Sequence, residues 1–316
     1  MKLLTFRDTR GGARVGALTA DGQVLDLRDA HHCLRGEDAP ALADMLALIE
    51  AGAGGLELAA DLLAAAPEPA LRGLEAVELM APLPEPRKLR DFLAFEGHLA
   101  NMAKRMETPT PIPQLWYERP IYGKCNHLSV VGTDTAVIWP PYTSQLDYEL
   151  ELACVIGRDG KDIPRHSADQ HIFGFTIYND VSARDEQLRE WGPMGAMKGK
   201  DFDTGNILGP WIVTADEIGD AYSLEMVARV NGEEWSRGNT RDMYHRFDAM
   251  IAYASYCETI RAGEVFGSGT VPTGCGQEQG RFPQPGDVVE LEVERIGVLR
   301  NRFGGNATEP AMSGPR

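Results

Sequence analysis

The chain has 316 residues, of which 43% are hydrophobic, and its formal net charge is −16 at pH 7. A chain of this length and composition can bury a sizeable core, so a wholly disordered chain is excluded, and the length allows one large domain or two smaller ones. The acidic excess argues against nonspecific binding to nucleic acid or to an anionic membrane, although it leaves room for a local basic pocket that binds a small anion.

The cysteines and the N-terminal segment favour an intracellular protein. The five cysteines are scattered, odd in number and contain no CxxC pair, so they suggest neither a disulfide framework nor a zinc knuckle. The segment MKLLTFRDTRGG is too poor in apolar residues for a signal peptide, and no run approaches the ~20 apolar residues of a membrane span. We therefore expect a soluble protein of a reducing cytoplasm, with no membrane or nucleic-acid partner.

The pattern along the chain divides it into two domains and a tail. Residues 1–78 combine strand-like segments (LLTF, ARVGAL, QVLDL) with alanine- and leucine-rich helical stretches, which predicts a small α/β domain. The proline-rich passage APLPEPRKL marks a boundary, after which residues 79–305 predict a larger domain with more β structure. Residues 306–316 are rich in Gly, Pro, Ser and Asn, and predict a flexible tail.

The larger domain begins with a carboxylate and a histidine. Asp91 opens the segment DFLAFEGHLANMAKRM, and His98 follows on a predicted helix. Apolar residues recur there at helical spacing and predict a buried stripe beside His98: Phe95, Leu99, Met102 and Met106. Because prolines from position 109 onward end this short helix, it is suited to act as a movable lid whose histidine reaches a substrate on closure. A lone histidine is, however, more often a surface residue.

Two glutamates lie on one face of a predicted strand, LDYELELACVIG (residues 146–157). Successive side chains of a strand point to opposite faces, so Glu149 and Glu151 project the same way, together with Asp147. Both faces become apolar toward the end of the strand, which indicates that it enters a core. Parallel carboxylates beside a core are unfavourable unless a cation or protons neutralise them, and a bound metal is the simplest explanation.

A second segment, VVELEVERI (residues 288–296), has the same alternation but a different interpretation. Glu290, Glu292 and Glu294 alternate there with apolar residues, which predicts a half-exposed antiparallel strand with its acids in water. Alternation alone therefore does not predict a metal site, and further carboxylates are needed.

Asp180 is a further carboxylate, and it directly follows the strand-like run IFGFTIYN (residues 172–179). Alone it would be read as a turn residue or a cap, but beside Glu149 and Glu151 it is a third oxygen donor. Ser182 and Asp185 then resemble a capping box. This box predicts a helix that places Arg184 and Gln187 on one face of its first turn.

Basic and glycine-rich segments follow. MKGKDFDT (residues 197–204) reads either as a solvated loop or as the source of a lysine that holds an anionic oxygen or a developing enolate. GSGTVPTGCGQE (residues 267–278) offers Thr270, Thr273 and many backbone N–H groups, consistent with cradling a carboxylate. It lacks the GxxxxGK[ST] spacing of a nucleotide P-loop.

The ordered set Asp91…His98, DYELE, NDVSARDEQ, KGKDFDTG and GSGT resembles the fumarylacetoacetate hydrolase superfamily, over about residues 81–303. The resemblance implies an α+β fold with a mostly β, rolled mixed-sheet core, preceded by a variable N-terminal domain. It also implies ligands for Mg²⁺, or for Mn²⁺ or Ca²⁺, which agrees with the all-oxygen preference of hard cations. These ligands are Asp91, Glu149, Glu151 and Asp180.

The resemblance assigns further roles. His98 corresponds to the general base, and Lys200 to an oxyanion-stabilising group. Substrate contacts would come from Arg184, Gln187, Thr204 and Thr270. Many smaller members carry an acid three residues after the lid histidine, where this chain has Asn101. The hydrolase itself takes its orienting acid from beyond the GSGT segment, and Glu278 is the candidate here.

The predicted reaction is hydrolytic C–C cleavage of a 1,3-diketo acid such as an acylpyruvate, by a homodimer as the resemblance implies. The alternative uses the same enolate without water, in a decarboxylase, isomerase or dehydratase of a 2-oxo acid or sugar acid. If no acid contacts His98, this proton-transfer chemistry gains over hydrolysis. A third interpretation is a non-catalytic binding protein whose metal holds its strands together.

Overall fold

The computed structural model describes residues 1–7, 11–105, 111–190 and 198–305. The predicted tail (residues 306–316), Met106 of the predicted stripe and Met197 of the lysine segment lie outside the described residues. Within the described ranges, none of the helices combines the length and apolarity needed to cross a bilayer.

The strands are β1 (Lys2–Arg7), β2 (Arg14–Leu18), β3 (Val24–Asp26), β4 (Leu71–Arg72), β5 (Glu78–Leu79), β6 (Lys88–Phe92), β7 (Tyr122–Cys125), β8 (Val130–Val131), β9 (Val137–Ile138), β10 (Leu146–Asp147), β11 (Leu150–Ile156), β12 (Gly160–Lys161), β13 (Ile172–Asp180), β14 (Ser182–Ala183), β15 (Asn206–Thr214), β16 (Glu225–Val230), β17 (Glu233–Asn239), β18 (Thr259–Ile260), β19 (Glu264–Gly267), β20 (Val288–Val293) and β21 (Gly297–Gly305). The α-helices are α1 (Leu27–Arg35), α2 (Met45–Glu50), α3 (Gly52–Ala65), α4 (Glu96–Arg105), α5 (Gln114–Glu118), α6 (Arg184–Glu190), α7 (Ala215–Ile218), α8 (Phe247–Ser255) and α9 (Gly276–Gln279).

Two mixed sheets carry the fold. The larger has 12 strands in the order β4-β3-β2-β1-β15-β13-β11-β19-β6-β7, with β5 beside β1 and β8 beside β15. Its pairs are antiparallel except β19–β6 and β15–β8, which are parallel. The smaller has five strands in the order β17-β16-β20-β21-β9. This architecture confirms the predicted α+β fold with mixed sheets.

The N-terminal residues share the large sheet with the rest of the chain. Strand β1 pairs with β15, with Leu3 opposite Ile212, so the sheet continues across the predicted boundary. Leu3 and Leu25 also pack in one buried cluster with Val155 and Leu208. The pairing covers an edge of β15 that would otherwise expose unpaired backbone groups. The division at residues 78 and 79 stays a prediction.

Strand β11 lies in the middle of the large sheet and separates two hydrophobic clusters. All seven of its residues are buried. Leu152 and Cys154 pack in one cluster, while Ala153 and Val155 pack in the other. The prediction that this strand enters a core is confirmed, and Glu149 and Glu151 stand where it enters.

Helix α4 differs from its predicted pattern. His98 is its buried residue, whereas Leu99 and Met102 are only half-buried, and Phe95 is buried but precedes the helix. The prediction that the apolar stripe forms the buried face of this helix is therefore wrong. The helix turns His98 inward because a carboxylate partner lies beneath it, an interaction between segments far apart in the sequence.

The predicted capping box is also wrong. Ser182 belongs to β14, and its hydroxyl donates to the backbone carbonyl of Asp180 at 3.0 Å. Asp185 instead accepts the N–H of Ser144 at 2.8 Å and the hydroxyl of Thr143. Pairing of β14 with β10 takes Ser182 into a bridge, so it is not available as a helix cap.

Candidate active site

Four carboxylates converge at one end of the large sheet. Asp91 lies on β6, Glu149 precedes β11, Glu151 is on β11, and Asp180 ends β13. Strand β19 lies between β6 and β11 and pairs with both, while β13 pairs with β11 on its other side. One oxygen atom from each of the four carboxylates lies within 4.8 Å of the others. The structure thus brings together all four residues that the resemblance implies as metal ligands.

The carboxylate cluster is buried, and some of its oxygens have no hydrogen-bond partner among the described residues. Glu151 and Asp180 are fully buried, and Glu149 nearly so. Three buried oxygens have no hydrogen-bond partner among the described residues: Asp91 Oδ1, Glu151 Oε1 and Asp180 Oδ1. A buried, unpartnered carboxylate oxygen is costly. Hard divalent cations such as Mg²⁺, Mn²⁺ and Ca²⁺ take such oxygens as ligands, so the donor set fits one of them.

The ionisation of the four carboxylates agrees with this fit. Burial, together with the charge of Asp180, raises the pKa of Asp91 to about 8. Burial also raises the pKa of Asp180 above its usual range and that of Glu151 well above it. Burial alone would raise the pKa of Glu149 too, but the Lys200 charge helps to lower it below its usual range. At three of the four carboxylates the effect of burial therefore outweighs that of the nearby positive charge, and a divalent cation would supply the charge that is missing.

Gly267 makes room for Glu151. A Cβ atom at Gly267 would lie 2.7 Å from Glu151 Oε2 and 2.8 Å from Tyr178 Cδ1, so a larger residue would push the carboxylate away. The N–H of Gly269 donates to the same Oε2 at 3.0 Å. One oxygen of Glu151 is thus held by the backbone, and the other is left for a cation.

The glycine-rich segment was predicted to cradle a substrate carboxylate, but several of its N–H groups hold the protein's own carboxylates. At 2.8–3.0 Å, Gly269 donates to Glu151, Thr273 to Glu278, and Gly276 and Gln277 to Asp147. For these four donors the prediction is wrong, because three buried acids compete for them. Thr270 is buried beside Gly269. Its role in substrate binding stays a prediction.

His98 and Glu278 form a hydrogen-bonded pair. His98 Nδ1 lies 2.8 Å from Glu278 Oε1, across 180 positions of sequence. The other oxygen of Glu278 accepts the Asn101 amide at 2.8 Å and the Thr273 N–H at 2.9 Å. Glu278 is therefore the acid that contacts His98, and Asn101 orients that acid. If Nδ1 carries the proton of this bond, Nε2 is the free basic nitrogen of the ring.

The lid helix rests on α9. Besides the two contacts from His98 and Asn101, the Arg105 guanidinium donates to the backbone carbonyl of Glu278 at 3.0 and 3.2 Å. Helix α4 is thus anchored by three side chains in a position that buries His98. Its opening stays a prediction.

Lys200 reaches the carboxylate cluster. Its ammonium donates to Glu149 Oε2 at 2.7 Å and to Asp180 Oδ2. The neighbouring Lys198 donates instead to the backbone carbonyl of Asp201 at 2.7 Å. The turn between the lysines packs closely on α6, where a Cβ atom at Gly199 would lie 2.7 Å from Gln187 Cα.

Asp147 and Arg184 connect the two halves of the site. Arg184 donates from Nε to Asp147 Oδ2 at 2.9 Å, from Nη2 to Glu149 Oε1 at 2.7 Å, and from Nη1 to Gln187 Oε1 at 3.0 Å. Asp147 also holds the start of α9, which bears Glu278. The sequence assigned no role to Asp147, although its place on the face of Glu149 and Glu151 was the available signal. The predicted substrate contacts of Arg184 and Gln187 stay predictions, since their contacts here are with protein groups.

The side chain of Thr204 makes its hydrogen bond outside this network. Its backbone has a φ of 65°, and its hydroxyl accepts the N–H of Ile138 at 2.8 Å. It thereby secures the end of β9, and a substrate contact stays a prediction.

Known proteins of one family are similar to this chain in sequence and fold. The model of the fumarylacetoacetate (FAA) hydrolase C-terminal domain matches residues 88–304. The human mitochondrial oxaloacetate tautomerase FAHD2A is 36% identical over 259 residues, which cover 82% of this chain and 79% of that protein. The solved fumarylacetoacetate hydrolase from Exiguobacterium antarcticum matches with a TM-score of 0.77 and 28% identity, covering 97% of this chain and 100% of that one. The 5-carboxymethyl-2-hydroxymuconate delta-isomerase from Mycobacterium smegmatis matches with a TM-score of 0.70 and 26% identity, covering 96% and 99%.

The chain therefore belongs to the fumarylacetoacetate hydrolase family, as the resemblance implied. This is a family of enzymes that bind a divalent metal ion, and its members similar to this chain include a tautomerase, an isomerase and a hydrolase.

Proposed function

We propose that this protein is a metal-dependent enzyme that forms the enolate of a 2-oxo acid, and that it catalyses keto–enol tautomerisation of an oxaloacetate-like dicarboxylic acid. One observation carries the proposal: a cluster of four carboxylates, with three buried oxygens that have no hydrogen-bond partner among the described residues, lies next to a histidine that is paired with a buried acid. The backbone bridge between Glu149 and Cys275 joins the two, since Cys275 Sγ lies 3.6 Å from Glu278 Oε1. The 36% identity with a tautomerase supports this choice of reaction.

Asp91, Glu149, Glu151 and Asp180 would hold the metal. A bound Mg²⁺ or similar ion would supply Lewis-acid polarisation of the substrate oxygens and compensation for the enolate charge. Lys200 would add a second positive charge, since its ammonium already lies between Glu149 and Asp180.

His98 would move the proton. Nε2 takes a proton from the carbon next to the 2-oxo group, the electron pair of that C–H bond becomes the enolate, and the proton returns to the enolate oxygen to complete the enol. The reverse sequence converts the enol into the ketone. Glu278 stabilises the imidazolium between these two transfers, because its Oε1 accepts from Nδ1.

Hydrolytic C–C cleavage of an acylpyruvate is the second candidate, and the contact between His98 and Glu278 favours it. The same pair can deprotonate a water molecule, which adds to the acyl carbonyl. The C–C bond then breaks, the enolate of pyruvate leaves, and its protonation gives two acids. The likeness to a fumarylacetoacetate hydrolase structure supports this reaction as well.

A metal-dependent assay separates the candidates. Oxaloacetate, acylpyruvates and deoxy-sugar 2-oxo acids are incubated with the full chain and Mg²⁺, and products are measured by mass together with deuterium uptake at C3. Tautomerisation conserves mass and exchanges C3 hydrogen, hydrolysis yields two acids, and decarboxylation releases CO₂. A protein whose melting temperature falls on chelation, but that neither binds nor converts any 2-oxo acid, would contradict the proposal and match the non-catalytic alternative.

His98→Ala tests the base. A general base contributes about 10²–10⁴-fold, so turnover should fall by that factor while the metal affinity, measured by calorimetry, stays unchanged. Turnover equal to that of the wild type would reject the role. His98→Gln serves as a second variant, because it keeps a hydrogen-bond donor for Glu278 without a basic nitrogen.

The proposal also includes a small anionic oxo acid as the substrate, no nucleic-acid or membrane partner, a homodimer and a cytoplasmic location. Light scattering coupled to size exclusion measures the oligomeric state, and a monomer at assay concentration would remove the homodimer from the proposal.

A further inference from the structure

A second cluster of potential ligands lies at the histidine. A ring nitrogen of His98, Cys275 Sγ and a carboxylate oxygen of Glu278 all lie within 4.8 Å of one another, and all three residues are buried. The four-carboxylate cluster offers only oxygen, whereas this one offers nitrogen, sulfur and oxygen.

The spacing of these atoms is close to that of a tetrahedral site. Zinc binds nitrogen and oxygen at about 2.0–2.1 Å and sulfur at about 2.3 Å, so neighbouring ligand atoms stand about 3.3–3.6 Å apart. Cys275 Sγ lies 3.6 Å from Glu278 Oε1, which is already within that spacing. His98 Nδ1 lies 2.8 Å from the same oxygen, so the His98–Glu278 pair would need to open by about half an ångström.

Glu278 is held so that Oε1 faces this cluster. Its other oxygen accepts from the Asn101 amide and from the Thr273 N–H, and Arg105 binds its backbone carbonyl. The oxygen that would bind a cation is therefore aimed at His98 and Cys275 without rearrangement of the carboxylate.

We propose that His98, Cys275 and Glu278 form a second cation site, which takes a thiophilic divalent metal such as Zn²⁺ and switches the enzyme off. The cation displaces the thiol proton to solvent, the Nδ1 proton of the neutral His98 moves to Nε2 so that Nδ1 can bind, and a thiolate plus a carboxylate neutralise the charge of the cation. Inhibition follows because His98 and Glu278 can no longer move a proton. The inhibitory part rests on the proposed function, whereas the binding part does not.

The two clusters select different metals. Mg²⁺ demands octahedral oxygen ligands and binds thiolate poorly, so it loads the four carboxylates and leaves the second site free. Zinc prefers nitrogen and sulfur ligands at tetrahedral geometry. A protein saturated with Mg²⁺ should therefore still bind a thiophilic ion at Cys275.

Cobalt is the spectroscopic probe. The full chain, kept in excess Mg²⁺, is titrated with Co²⁺ while the near-ultraviolet absorption is followed for sulfur-to-cobalt charge transfer. We expect a band that saturates at one Co²⁺ per chain and disappears when Zn²⁺ is added. Cys275→Ala should lose the band, and Cys154→Ala, which alters another fully buried thiol, should keep it.

Zinc inhibition provides the second measurement. At fixed excess Mg²⁺, the Zn²⁺ concentration that halves activity should rise at least about tenfold in Cys275→Ala and stay unchanged in Cys154→Ala, since even a residue that only supports a metal ligand contributes about tenfold or more to affinity. Absence of the band in the wild type would overturn the site even if Cys275→Ala failed to fold. Equal inhibition of wild type and Cys275→Ala would also overturn it, by placing the zinc effect at the four carboxylates. Because the band needs no turnover, its appearance in a protein that lacks the proposed activity would separate the two hypotheses.

Discussion

Two strands of this protein carry the same alternation of glutamate and apolar residues but have opposite surroundings. Glu149 and Glu151, at the start of β11, are almost completely buried, whereas Glu290 and Glu292 on β20 are only half-buried. On β20 the apolar partners face a core and the acids face outward, as predicted for a half-exposed strand. Alternation thus decides which side chains share a face, and the neighbours of that face decide what the acids do.

The neighbours differ in kind. Glu292 forms an ion pair with Arg229 of the adjacent strand β16 at 2.6 Å, and its side chain is 41% exposed. Asp147, on the face of Glu149, pairs with Arg184 where both side chains are nearly inaccessible. Water can replace a lost partner on β20, but not at the start of β11.

The largest expected difference concerns these two ion pairs. Asp147→Ala should lower the free energy of unfolding by about 3–5 kcal/mol, because Arg184 and two N–H groups of α9 would be left buried with fewer acceptors. Glu292→Ala should cost about 1 kcal/mol or less. Urea unfolding of the metal-free proteins measures both. Similar values for the two variants would break the comparison.

Metal affinity should separate the two pairs of glutamates. Glu151→Gln should weaken Mg²⁺ binding by more than about 100-fold, the upper end of what supporting residues contribute. Its fold should persist, since an amide mimics the protonated acid that burial favours. Glu290→Gln should leave affinity unchanged and stability within about 0.5 kcal/mol. Calorimetric titration measures the Mg²⁺ affinity of both variants. An unchanged affinity of Glu151→Gln would show that Glu151 is not a metal ligand.

Gly267→Ala tests the close approach beneath Glu151. Displacement of the carboxylate by the new Cβ atom should weaken Mg²⁺ binding about tenfold or more. Gly123→Ala is the matched control, because Gly123 lies on β7 opposite Asp91 and its Cβ atom would meet nothing within 4 Å. Equal affinities of the two variants would show that the site tolerates the added methyl group.

The smallest effect, for a change of one pH unit, is the pH dependence of metal binding. Because burial raises the pKa of Asp91 to about 8, the metal-free site holds a proton that the metal must displace. Affinity should rise by up to about tenfold per pH unit between pH 6 and 8. Calorimetry in buffers of different ionisation enthalpy should show proton release, and binding without release at pH 7 would contradict this.

The raised pKa of Asp91 also determines the direction in which the stability of the metal-free protein changes with pH. Between the usual pKa of an aspartate and about 8, the folded metal-free protein binds a proton at Asp91 that the unfolded chain does not, so its stability should fall as the pH rises. Saturating Mg²⁺ should remove that decline.

Sequence reasoning predicted the carboxylate ligands better than the contacts that hold the rest of the site in place. Glu149 and Glu151 follow from strand alternation and Asp180 from its place at the end of a strand, whereas the ligand role of Asp91 came from the family resemblance. The inward face of α4 was predicted wrongly, because the attraction between His98 and Glu278 joins residues 180 positions apart. The bonds from Gly276 and Gln277 to Asp147 span 129 and 130 positions and likewise left no local pattern.

The sequence by itself determined which acids share a face of a strand, where the glycine-rich segment begins, and that two carboxylates need compensation where a strand enters a core. Only the tertiary structure decided which acids are sealed from water, that Glu278 holds His98, and that Asp147 joins Arg184 to the start of α9. The reason is that side-chain direction is a local property of the backbone, whereas the free energy of a charge depends on the solvent and the partners that distant segments bring to it.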